Sequence, residues 1–100
     1  MITSLRIIWK RQALHRVDEI ASWYENNMGK TAMRSFLQGV ADTVTTLSHS
    51  PNIGKLDERR STQRRKLYSF VTHPKYKIIY YFTSKTIYIV TIHRTMMKNG

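Results

Sequence analysis

Cations and imidazoles supply most of the reactive chemistry that this chain offers. Residues 51–100 carry eleven Lys or Arg (Lys55, Arg59, Arg60, Arg64, Arg65, Lys66, Lys75, Lys77, Lys85, Arg94, Lys98) against two acids, Asp57 and Glu58, a net charge of +9. Residues 1–50 carry six and four, a net charge of +2. Clustered charge of one sign makes a field, and guanidinium groups meet phosphates and carboxylates in bidentate fashion. Arg59, Arg60, Arg64, Arg65 and Lys66 are therefore candidates for contacting the phosphates of a nucleic acid or the acidic segment of a protein partner. A merely solvated loop is the alternative. His93 stands beside Arg94, which puts a group that exchanges protons near neutrality next to a fixed cation. His73, in a turn before Pro74, reads as an ordinary surface histidine. His15 and His49 read as lacking an acidic or histidine neighbour at ligand spacing. With no cysteine in the chain, no metal site and no cofactor are expected.

The rest of the composition bounds where such chemistry could operate. One hundred residues, 41% of them hydrophobic and 11% aromatic, are enough for one modest core, and residues 1–100 read as a single domain. The lack of cysteine fits a reducing compartment. Charge interrupts the first residues, Met1 to Arg11, before an apolar stretch of signal-peptide length can form. The longest apolar run, Ile78 to Phe82, is strand-sized and far below the roughly 20 residues of a membrane helix. A soluble, cytoplasmic protein without a membrane partner is expected.

Hydrophobic periodicity then places the elements. Leu5, Ile7 and Trp9 alternate with Arg6, Ile8 and Lys10, the period of a short strand. Leu14, Val17, Ile20, Ala21, Tyr24 and Met28 recur at helical spacing, and Asn26 to Gly29 supplies a stop. Met33, Phe36, Leu37, Val40, Ala41, Val44 and Leu47 trace a second stripe, with Thr31 as its expected cap. The two make an antiparallel helical hairpin. Ser48 to Gly54 is a breaker cluster, and Lys55 to Gln63 reads as an exposed basic loop. Three β-rich runs follow, at 65–71, 76–82 and 86–92, joined closely enough for hairpins. The expected fold is α+β in the order β-α-α-β-β-β, with the hairpin packed on one face of a small, mainly antiparallel sheet. Tyr76, Tyr80, Tyr81 and Phe82 read as core packing, with base stacking as the alternative. Trp23 lies off the helical stripe; an exposed position there would mark a partner surface.

Several stretches carry a family likeness across nearly the whole chain: Ile8-Trp9 closing the first strand; Leu47-Ser48-His49-Ser50-Pro51-Asn52-Ile53-Gly54; the basic run Arg64-Arg65-Lys66-Leu67; Pro74-Lys75-Tyr76-Lys77-Ile78-Ile79-Tyr80; and Ile87 to Arg94. Together they resemble the RelE/ParE superfamily of toxins from bacterial type II toxin–antitoxin, or plasmid stabilization, systems. In the fourth stretch Lys77 takes the arginine place of the family's Tyr-Arg-Ile-x-Tyr strand. The resemblance implies a small growth-inhibiting toxin neutralised by a co-encoded antitoxin with an acidic or amphipathic segment. RelE-like members cut messenger RNA on the ribosome, whereas ParE-like members inhibit DNA gyrase without being nucleases.

Metal-independent RNA cleavage needs a base for the 2′-hydroxyl, an acid for the leaving oxygen and cations for the charge on phosphorus. Carried over from RelE-like toxins, Lys55 takes the place of a loop lysine and Arg94 that of the late arginine, with His93 or Lys66 as further candidates. Arg59, Arg60, Arg64, Arg65 and Lys77 are the candidates for binding nucleic acid or antitoxin. Two positions depart from that pattern: Thr72 stands in the central arginine's place, and the tail Thr95 to Gly100 has no tyrosine. Both departures favour the ParE-like class over the nuclease. A simple nucleic-acid-binding module is a third reading.

Overall fold

The alternation at the start of the chain forms β1 (Arg6–Trp9), the opening element of a computed structural model that describes residues 4–73 and 75–95. Two helices follow, α1 (Arg11–Met28) and α2 (Lys30–His49). A single residue, Gly29, joins them at φ 95°, a left-handed backbone that glycine adopts without a Cβ penalty. Asn27 closes α1 by donating from Nδ2 to the Trp23 carbonyl at 2.8 Å. The expected Thr31 cap is absent: α2 begins at Lys30, two residues earlier than such a cap would start it, and no side chain caps it. The junction is so tight that the glycine backbone itself turns the chain.

After a 3₁₀ turn at Pro51–Ile53 come β2 (Lys55–Leu56), β3 (Tyr68–His73), β4 (Tyr76–Phe82) and β5 (Thr86–Arg94). The sheet order is β1-β5-β4-β3-β2. β2 to β5 pair antiparallel, and β1 lies parallel to β5 at the other edge, Ile7 opposite Ile87 and Trp9 opposite Ile89. Thr83 makes the last hairpin turn by accepting from the amides of Lys85 and Thr86. Two boundaries differ from the sequence expectation. Lys55 and Leu56 leave the basic loop to form β2. At the other end of that loop, residues 65–67 leave the strand, because the Leu67 amide and carbonyl are taken by Ser61 Oγ and the Asp57 amide.

α1 lies over β5 and α2 over β3 on one face of the sheet. The core there joins Ile20, Ala21, Phe36, Val40, Val44 and Leu47 to Tyr76, Ile78, Tyr80, Ile87, Ile89 and Ile92, all buried. Tyr24 and Phe36 stack at 5.3 Å, and Tyr76 meets Phe36 edge-on at 5.5 Å. The apolar stripes are wider than the sheet can cover. Leu14, Met28 and Leu37 stay exposed, while Ala13, off the expected stripe, is fully buried. No helix among the described residues is long and apolar enough to cross a membrane.

Candidate functional site

Strand pairing sorts the candidate residues onto two faces, since residues opposite each other across a ladder share a face and neighbours along a strand do not. Tyr76 pairs with Arg94 and packs against α1 and α2, so Arg94 belongs to the helix-covered face. Lys77 pairs with His93 on the opposite face. His93 and Arg94, adjacent in sequence, are therefore separated by the sheet. Lys55 pairs with Ser69, which pairs with Ile79, and Ile79 with Thr91, so Lys55 shares the face of His93. From β2 to β5 is three strand spacings, about 14 Å.

Among the described residues no helix lies over that second face, yet Ile79 is fully buried and Thr91 nearly so. The basic loop lies on this side of the sheet, since Arg65 reaches Tyr81 and the charges of Arg60 and Asp57 act on His93. Asp57 pairs with Arg60 through Oδ2 at 2.8 Å and accepts the Arg60 amide on Oδ1. Ser61 Oγ donates to the Asp57 carbonyl at 2.7 Å and accepts from the Leu67 amide at 2.9 Å, closing the loop at its neck. Thr62 and Arg65 exchange backbone hydrogen bonds at its tip. The Arg65 guanidinium sits 4.0 Å from the centre of the Tyr81 ring, which stacks on Tyr88 at 4.6 Å; Lys10, between β1 and α1, approaches Tyr88. Such a cation over an aromatic ring contributes about 0.5–1 kcal/mol at an exposed site. Thr91 Oγ1 is buried there without a hydrogen-bond partner.

The charges under this strap act on one another. Burial pushes the Asp57 carboxyl up, but the hydrogen bonds and charge of Arg60, with Lys77, outweigh it and hold the group below its ordinary value. Burial first, then the charges of Arg60, Arg16 and Lys77, push the His93 imidazole below its ordinary value against a weaker pull from Asp57. A neutral imidazole beside Lys77 can accept or pass a proton.

The other candidates lie apart. Arg59, Arg64 and Lys66 are exposed on the loop. Arg60, Arg64 and Arg65 with Thr62 and Leu67 border an open hollow of about 410 Å³; Arg64, Arg65 and Lys66 border a second, of about 350 Å³, against Tyr68, Tyr81 and Phe82. His15 does have an acidic neighbour, contrary to the sequence reading: Glu19, one turn on, lies 3.4 Å away. Among the described residues there is still no group of three or more His, Asp or Glu that could hold a metal. His49 Nδ1 lies 2.9 Å from the Thr45 carbonyl in the last turn of α2. Pro74, the His73 side chain and the tail 96–100 lie outside the described residues.

A family model described as the ParE toxin of the type II toxin–antitoxin system parDE matches residues 7–98. The chain belongs to the ParE toxin family, within the RelE/ParE superfamily. Among curated proteins none matches it in sequence. Three solved structures share its fold. The chromosomal ParDE system of P. aeruginosa aligns with TM-score 0.75 and 18% identity over 93% of this chain and 98% of that one. The RelBE2 toxin–antitoxin complex of Mycobacterium tuberculosis gives 0.65 and 13%, over 95% of each chain. The YoeB dimer of Staphylococcus aureus gives 0.56 and 16%, over 95% and 100%.

In this ParE-family chain the motif positions acquire physical roles. The Tyr80 hydroxyl donates to the Pro51 carbonyl at 2.6 Å and accepts from the Gly54 amide at 3.0 Å. A Cβ on Gly54 would run into that hydroxyl. The Pro-x-x-Gly turn and the second tyrosine of β4 are thus one clamp, and burial pushes the Tyr80 phenol up to about 12, so it remains a donor. Thr72, in the place of a RelE-type arginine, sits at a β-bulge and turns toward α2, where it bonds Thr43 Oγ1 and the Gly39 carbonyl. Sequence reasoning missed Asp57, Ser61 and the Tyr81–Tyr88 pair. Asp57 was the one with a signal, as half of the only acidic pair in a basic stretch.

Proposed function

We propose that this chain is a growth-inhibiting toxin that acts by binding, in the manner of a ParE-like inhibitor of a DNA gyrase-class target, and is held silent by a cognate antitoxin. The observation that carries this reading is the division of the candidate catalytic groups: Arg94 lies on the helix side, His93, Lys77 and Lys55 on the other, and Thr72 is engaged with α2. A phosphodiester in transit needs acid, base and cation around one phosphorus, within hydrogen-bond reach. The exposed Arg59, Arg60, Arg64, Arg65 and Lys66 then serve as the surface that takes an acidic segment of the antitoxin, with the half-buried Lys77 on the sheet beside them.

The ribosome-dependent endoribonuclease is the second reading, and one observation favours it: His93 is held toward its neutral form beside Lys77, under a loop dense in arginine. Controlled expression in bacteria separates the two. The binding toxin arrests growth with a DNA-damage response and intact messages. Rapid cleavage of translated messages, lost in His93→Ala, would overturn it in favour of the nuclease. Harmless expression would count against both and leave a plain nucleic-acid-binding module.

A further inference from the structure

On the helix-covered face, where α1 passes the start of β4 and the end of β5, a cavity of about 240 Å³ opens between Arg16, Trp23, Tyr76 and Arg94, with Glu19 and Ile20 completing its wall. Its aromatic sides are packed on one another. Trp23 meets Tyr24 edge-on at 5.3 Å, and Tyr24 stacks on Phe36. The Tyr76 hydroxyl is hydrogen-bonded to Tyr24 and kept neutral, its phenol pushed up to about 12 by burial first and by Tyr24 second. Arg16 is pinned by donating from Nε to the Ile92 carbonyl at 3.3 Å and from Nη1 to Glu19 at 3.0 Å. The one acid in the wall is therefore already matched. Arg94 is exposed and has no acidic partner among the described residues. The cavity keeps one uncompensated guanidinium beside an indole that is 54% exposed.

An open cavity of about 240 Å³ has room for one amino-acid side chain with its adjoining backbone. The charge selects an anion, the planar fork of Arg94 selects a carboxylate over a point charge, and the apolar walls of Ile20, Trp23 and Tyr76 select a methylene stem behind it.

We propose that the Arg94–Trp23 cavity is an anchor pocket for a single acidic side chain, a glutamate, presented by an extended segment of a protein partner. This separates it from the basic loop, whose two hollows each gather three cations where this cavity keeps one that is unmatched. The inference deepens the antitoxin reading and rests on it only for the source of the peptide.

The test uses the full chain and needs no antitoxin, so its failure is distinguishable from failure of the growth assay. Acetyl-Leu-Glu-Leu-amide, its Gln counterpart and inorganic phosphate are titrated while the indole N–H resonance of Trp23 is followed by NMR; with two tryptophans, Trp9 and Trp23, assignment is direct. The Glu peptide is expected to shift the Trp23 signal saturably, and the Gln peptide to bind at least tenfold more weakly. Arg94→Gln is expected to abolish the shift, and Arg94→Lys, which keeps the charge without the fork, to weaken it severalfold. Since Arg94 is exposed near the end of β5, unchanged amide resonances elsewhere establish that the variants are folded. Equal binding of the Glu and Gln peptides, a shift that survives Arg94→Gln, or an equal response to phosphate would each overturn the proposal.

Discussion

Ile78 and Ile79 are neighbours in β4 and both are fully buried, but different things bury them. Ile78 faces the helices, in one cluster with Leu47, Val40 and Ile92. Ile79 faces the strap at 57–67, which rests on the Asp57–Arg60 pair, the Ser61 hydroxyl and the cation over Tyr81. Helical packing removes apolar area from water on both sides of the contact, whereas the strap contributes mostly polar bonds that water can replace. A sheet can thus have two dry faces of unequal stability, and the weaker one is free to open.

Core truncation is the harshest test of that contrast. Ile78→Ala is expected to cost about 2–5 kcal/mol in urea unfolding, and Ile79→Ala at least about 1 kcal/mol less, because the strap can settle into the space and a packed helix cannot. Equal losses would break the comparison. Tyr80→Phe comes next, at about 1–3 kcal/mol, since it strands the Gly54 amide and the Pro51 carbonyl between the two regions. A loss much below this range would mean that water satisfies both groups and that the clamp is incidental.

The smallest effect is a pH dependence confined to the strap. Folding holds the His93 imidazole below the ordinary value of 6.5, so below that pH the unfolded chain takes up a proton that the folded chain resists. This contribution to stability is complete above pH 6.5 and falls as pH drops through the folded value. Amide hydrogen exchange, corrected for its intrinsic pH dependence, is expected to show residues 57–67 opening more often at pH 5.5 than at 7.5, with β5 and α2 unchanged. His93→Gln is expected to remove the difference. A pH response that persists in His93→Gln, or that reaches α2, would show the two regions to be one cooperative unit.

The elements were readable wherever apolar periodicity was strong. The stripe at Phe36, Val40, Val44 and Leu47 predicts α2 and its buried face, and the alternating runs predict β4 and β5. The strand boundary at residues 65–67 was not readable, because Arg65, Lys66 and Leu67 suit a strand until Ser61 and Asp57, several residues upstream, take their backbone. The same holds for Leu14, which fits the α1 stripe but faces the outer groove between the helices. Local pattern records what an element prefers and not which neighbour reaches it first.

The candidate site divides in the same way. Composition alone determined that the second half is a concentrated positive field without thiols, and the spacing of Pro51, Gly54, Tyr76 and Tyr80 carried the family likeness, because clustering and motif spacing are one-dimensional properties. Only the tertiary structure decided that His93 and Arg94 work on opposite faces, that Arg94 joins Arg16 and Trp23, and that the basic loop folds back over the sheet. A β-strand turns successive side chains to opposite sides, and which side meets a helix, a loop or a cavity is set by partners far away in the chain.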